Sequence, residues 1–269
     1  MINDRIQSKL HEAHSLWREG KEEAMLSPLE EALQLARQVG NTSKTIEILS
    51  EYGGALRVTG NLQEAEKALT EVVKLLEQIH AEKHPPYGTA LVNLANLYRV
   101  QKRHKLALYI FKRAKYVFED IHCFDYNYTS LCNNLALLYQ SLGEDTEAIQ
   151  LLKETITYLQ ADEKYLLPLV TSYNNLTSLY LNQGDLSLAQ SYLDQAKDLA
   201  RDKLKHNAPI QAAILNNQGL IHQKNKNYEA SKTSFQTSLK FLAQSYGENS
   251  PDYQSVKSNL EIVRGALHD

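Results

Sequence analysis

Asparagine recurs in this chain at Asn93, Asn134, Asn175, Asn217 and Asn259, at intervals of 41, 41, 42 and 42 residues. In three of these places the preceding residue is asparagine as well: Asn133, Asn174 and Asn216. The whole chain holds only 18 asparagines, so the columns are not an effect of composition. Asparagine is a mediocre helix former, so a column of it needs a reason. Its carboxamide offers one acceptor and two donors. Those groups complement the main-chain amide of an extended segment, whatever side chains that segment carries. Each such bond nets about 0.5–1.5 kcal/mol, so a ladder of them grips broadly at weak-to-moderate strength. The competing use of the same amides is internal, bonding to the adjacent repeat or to carbonyls at helix ends.

Arg57 and Arg99 lie 42 residues apart in the same register, with Gln140 and Gln223 in the equivalent place later in the chain. Two guanidiniums one repeat apart suit a ligand carboxylate, in the bidentate geometry that arginine favours. A solvated or internally paired arginine is the plainer alternative. Other chemistry is not called for. No phosphate loop, dinucleotide glycine fingerprint or nucleophile-elbow serine occurs. His11 and His14 are three apart rather than the four of a zinc-protease helix. His80 and His84 have that spacing, but Pro85 follows at once and no third ligand is evident. The expectation is a chain with no cofactor and no metal that is not an enzyme.

The elements that position these residues repeat with the same period. Leu91-Val92-Asn93-Leu94-Ala95-Asn96-Leu97-Tyr98 aligns with Cys132 to Tyr139, with Tyr173 to Tyr180 and, more weakly, with Leu215 to His222. A small residue holds the eighth position of every unit: Ala13, Gly53, Ala95, Ala136, Thr177 and Gly219. Leu91, Leu94, Ala95 and Tyr98 fall at i, i+3, i+4 and i+7, one stripe of a helix. A second helix follows, with Ala107, Phe111 and Ala114 matched by Ala148, Leu152 and Thr155 and by Ala189, Leu193 and Ala196. Between the two helices stand Gly20, Gly60, Gly143 and Gly184, suited to a left-handed C-terminal cap. Pro85, Pro209 and Pro251 precede their units and belong in first helical turns. No linker or compositional break interrupts the series, so a single domain over 1–269 is expected.

Composition bounds the setting. Hydrophobic residues make up 43% and charged residues 23%, with 11 glycines and 6 prolines, as long helices joined by short turns require. A net charge of −3 lacks the basic excess of a nucleic-acid or anionic-membrane binder. Met1 to Arg5 open directly into an amphipathic pattern, and no run of about 18 apolar residues occurs. Cys123 and Cys132 fit neither a zinc nor a redox motif. A cytoplasmic protein with two reduced thiols is expected.

The pattern small-x-x-Tyr, Gly, Ala, Phe/Leu, Ala resembles the tetratricopeptide repeat. Its period exceeds the usual 34 residues. Together with His84-Pro85 through Tyr98 and Ser250-Pro251 through Leu260, it looks like the kinesin light chain subclass. The resemblance implies an all-α, right-handed superhelical solenoid of antiparallel helix pairs. Its six repeats would span about 5–40, 46–80, 88–121, 129–161, 170–203 and 212–245, with a capping helix at 251–267. It also implies a concave face lined by the first helices, where asparagines at the sixth position contact bound peptide backbone. On that basis the candidate peptide-binding residues are Asn93, Asn133, Asn134, Asn174, Asn175, Asn216, Asn217, Arg57 and Arg99. The function implied is an adaptor holding an extended segment of a partner protein. Two alternatives stand beside it: a sensor of a small signalling peptide acting through a separate effector, and self-association through end helices or the convex face. The end units depart from the pattern. Ala24 is one step early, Lys226 replaces a turn glycine, Ser231 and Ser238 hold small positions, and Glu261 holds a packing position.

Overall fold

The structure, a computed structural model, describes residues 2–159 and 163–268. The expected end of the fourth repeat, at 160–161, therefore lies outside the described residues. The regular structure within them is helical: α1 (Ile2–Arg18), α2 (Leu26–Gln38), α3 (Thr42–Val58), α4 (Leu62–Gln78), α5 (Pro85–Val100), α6 (His104–Asp120) and α7 (Tyr126–Ser141). Then come α8 (Asp145–Leu159), a 3-10 turn at Glu163–Tyr165, α9 (Leu166–Gln183), α10 (Leu186–Ala200), α11 (Ala208–Lys224), α12 (Tyr228–Tyr246) and α13 (Pro251–His268). The chain divides into two compact units, 1–131 and 132–269.

In the first unit α1 packs on α2, α3 on α4 and α5 on α6. Sixteen positions after the small eighth-position residue of each first helix stands one large residue of the second helix. Ala13 and Leu29, Gly53 and Leu69, and Ala95 and Phe111 are all buried. Burying one such side chain contributes about 1.5–3 kcal/mol. In the second unit the same register places Leu152, Leu193 and Phe235 sixteen positions after Ala136, Thr177 and Gly219, again all buried. A Cβ built on Gly219 would stand 2.5 Å from the Phe235 ring, so here the close approach requires glycine.

The turns follow from cap chemistry. Gly184 ends α9 at φ 79°, and Asp185 N–H donates back to the Tyr180 carbonyl at 2.9 Å. Asp185 then opens α10, its carboxylate accepting from Leu188 N–H at 3.0 Å. Lys226 takes the left-handed place with φ 62°, and Asn227 N–H reaches the His222 carbonyl at 2.8 Å. The turn geometry thus persists without its glycine, at a conformational cost of about 1–2 kcal/mol. Pro85 and Pro209 sit in the first turns of α5 and α11, as expected.

The end units show how the departures are absorbed. Ala24 lies exposed ahead of α2, and the buried Met25 takes the small position instead. Pro28 explains the late start. Its ring excludes helix four residues upstream, so α2 begins only at Leu26. Ser231 and Ser238 donate to the carbonyls of Gly219 and Ala212 at 2.7 and 2.8 Å, cross-linking α12 to α11. Glu261 is exposed and paired with Arg264 at 3.0 Å, while α13 buries Val256, Leu260 and Val263.

Candidate peptide-binding surface

The two asparagine columns meet one another in the second unit. Asn175 Nδ2 donates to Asn133 Oδ1 at 3.0 Å, and Asn259 Nδ2 donates to Asn216 Oδ1 at 3.3 Å. Between these rungs, Asn217 Nδ2 donates to both the carbonyl and the Oδ1 of Asn174, each at 2.9 Å. The sixth-position amide of one repeat is therefore held by the fifth-position amide of the repeat before it. Asn133 and Asn217 are 5% and 4% exposed, and Asn133 is further fixed by Ser172 Oγ at 3.1 Å. Side chains this deep cannot grip a segment lying on the open face, so Asn133 and Asn217 serve as internal struts. Asn174, Asn175 and Asn216 are half-buried partners in the same ladder.

Where the fifth position is not asparagine, the next sixth-position amide is left without this partner. Units 2 and 3 carry Ser50 and Val92 there. Accordingly the side chains of Asn93 and Asn134 make no hydrogen bond within the described chain, and both residues are half-buried. The sequence carried this signal: asparagine at position five and asparagine at position six of the next unit always occur together from unit 4 to unit 5 onward.

Asn93 lines a groove of about 780 Å³ in the first unit. Its walls come from α3 (Ile46, Glu47, Ser50), from Val72 and Leu76 on α4, and from Pro86, Thr89 and Ala90 on α5. His80 and His84 also line it. They do not share a helix face, since His80 sits at φ 55° beyond α4 and His84 immediately precedes α5. Among the described residues no three His, Cys, Asp or Glu side chains converge as metal ligands would.

Arg57 and Arg99 stand toward the other end of α3 and α5, two helices in contact. Both are half-buried, and neither guanidinium has a carboxylate or other hydrogen-bond partner among the described residues. Burial holds Arg57 below the ordinary arginine range, and the charge of Arg99 lowers it further; burial alone does the same to Arg99. Arg99 Nε and Asn96 Oδ1, three residues apart on α5, are buried polar atoms with no partner in the chain. The tyrosines near first-helix starts divide. Tyr87, Tyr128 and Tyr173 are core residues at 1%, 3% and 4% exposure, whereas Tyr126 is 52% exposed. Tyr87 donates to Glu77 at 2.6 Å, and burial together with that bond pushes its hydroxyl up to about 12.

Comparison with known proteins places this architecture. Tetratricopeptide repeat family models match residues 44–119, 129–160, 170–203 and 212–241. This chain belongs to the tetratricopeptide repeat family, a binding-scaffold fold. BtubC (BKLC) from P. vanneervenii is similar in structure, with a TM-score of 0.69 and 17% identity, over 85% of this chain and 94% of that one. So is a putative kinesin light chain repeat protein from Podosopora anserina, with a TM-score of 0.60 and 17% identity, over 74% and 95% of the two chains. NprR in complex with its cognate peptide NprX matches with a TM-score of 0.63 and 16% identity, over 97% and 72%. In sequence, the RxLR effector protein SFI4 of Phytophthora infestans is 22% identical over 81% of this chain, and the match spans 65% of that protein's length. No helix among the described residues is long and apolar enough to cross a membrane.

Proposed function

We propose that the protein is a non-catalytic adaptor that binds an extended, acidic segment of a partner protein on the first-helix face of its first unit. Apolar side chains of the segment enter the groove beside Asn93, and an anionic group rests on Arg57 and Arg99. The observation that carries this reading is the pair of sheltered guanidiniums without carboxylates, beside a groove with an unbonded amide. Six residues separate Asn93 from Arg99, about 9 Å of helix. An extended peptide covers that distance in about three residues. Asn134, in the second unit, is a separate candidate contact to peptide backbone. The assigned role for Asn174, Asn175 and Asn216 is support of the stack, with ligand contact secondary.

Display selection of random dodecapeptides on the immobilised protein tests this. Enriched sequences are expected to pair apolar residues with an acidic residue about three positions away, and an Arg57→Gln/Arg99→Gln variant should fail to retain them. Enrichment without acidic residues, or equal retention by the variant, counts against the reading. A second reading, a sensor of a small signalling peptide acting through a separate effector, draws on the likeness to peptide-bound NprR across 97% of this chain. Short free peptides of five to eight residues binding as tightly as the dodecapeptides would favour it.

A further inference from the structure

The arginines of this chain are distributed against expectation. Of the seven exposed arginines, Arg37, Arg103, Arg113, Arg201 and Arg264 each rest on a carboxylate, while Arg5 and Arg18 stand in water without one among the described residues. Water would have stabilised the paired ones without a carboxylate as well. The two half-buried arginines, Arg57 and Arg99, lack any carboxylate, although removal from water makes an uncompensated charge costly. They stand at equivalent places on contacting helices. Two positive charges in one sheltered place, with no anion from the chain, define the charge of the missing partner.

We infer that the group held by Arg57 and Arg99 is a phosphoryl dianion, carried on a phosphorylated residue of the bound segment. This deepens the acidic-segment reading and rests on it. A single carboxylate compensates one guanidinium and leaves the other opposed by nothing. A phosphoryl group carries about −1.5 to −2 at neutral pH and three terminal oxygens, enough to give each guanidinium its own acceptors. The orphaned Arg99 Nε is a donor suited to one of those oxygens. The orphaned Asn96 Oδ1 is an acceptor, which no phosphoryl oxygen satisfies but a main-chain N–H does. A donor for the anion and an acceptor for backbone, side by side on α5, fit a phosphorylated peptide better than a free anion. The apolar groove farther along the same two helices extends the site for the rest of that peptide.

The test uses inorganic phosphate, malonate and acetate as probes, at equal concentration and constant ionic strength, against the full chain. Thermal unfolding and backbone amide shifts of α3 and α5 are followed. Phosphate is expected to bind at least about tenfold more tightly than malonate, with acetate weaker still. Arg57→Lys and Arg99→Lys keep the charge and should keep anion binding while losing the preference for phosphate. The Arg57→Gln/Arg99→Gln variant, checked for helix content by circular dichroism, should lose both. Equal binding of malonate and phosphate overturns the phosphoryl assignment and leaves the acidic-segment reading intact. Binding of none of the three overturns it too, and the display selection then decides the broader reading by itself.

Discussion

At the scale of single residues, one side-chain type performs two tasks in this chain. Asn217 is 4% exposed and donates twice to Asn174, so Asn217→Ala strips a half-buried carbonyl and a carboxamide of their donor. Chemical denaturation should register a loss of about 1–3 kcal/mol. Asn93→Ala, which breaks no bond within the chain, should change stability by less than about 0.5 kcal/mol. Equal losses at the two sites would contradict the division into struts and free amides. Arg57→Gln should leave the unliganded protein at least as stable as the wild type, because it relieves opposition to Arg99. A stabilised variant that no longer binds is the usual mark of a site strained for function. Both columns and both arginines were legible in the sequence by spacing. What the spacing could not show was the pairing of position five with position six one repeat later. Nor could it show that the many Glu side chains reach other arginines and leave Arg57 and Arg99 alone.

At the scale of elements, the helix pairs were readable because each crossing imposes the same demand, one small residue under one large one. Gly219 under Phe235 is the tightest case. Gly219→Ala should destabilise by about 1–3 kcal/mol through overpacking. Adding Phe235→Leu should recover much of that loss, since leucine holds the equivalent place as Leu29, Leu69, Leu152 and Leu193, each of them buried. No recovery in the double variant would mean that backbone spacing, rather than side-chain volume, sets the crossing. Lys226→Gly should stabilise by roughly 1 kcal/mol, because it removes a side chain from a left-handed position. Thermal or urea unfolding checks both. The late start of α2 was not foreseen, since Ala24 reads as a small packing residue until the effect of Pro28 on the upstream turn is considered. The groove was illegible for a related reason. It forms where α4 ends in a left-handed His80 and α5 begins at Pro85, a junction with no repeat-wide pattern.

At the scale of the whole molecule, the two units use their first helices differently. In the second, α9, α11 and α13 are tied by the amide ladder. In the first, α3 and α5 present an unbonded amide, a groove and two guanidiniums without carboxylates. Under the proposed adaptor reading, binding therefore falls to the first unit, while the amide ladder lends internal cohesion to the second. The most direct measurement is titration of a selected acidic dodecapeptide into the wild type, Arg57→Gln/Arg99→Gln and Asn217→Ala, at low and at physiological salt. The arginine variant should bind on the order of tenfold or more weakly, as loss of charge-assisted bonds entails, and should lose most of its salt dependence. Asn217→Ala, measured well below its unfolding transition, should bind as the wild type does. Full affinity in the arginine variant, or selective loss in Asn217→Ala, would place the ligand elsewhere on the molecule.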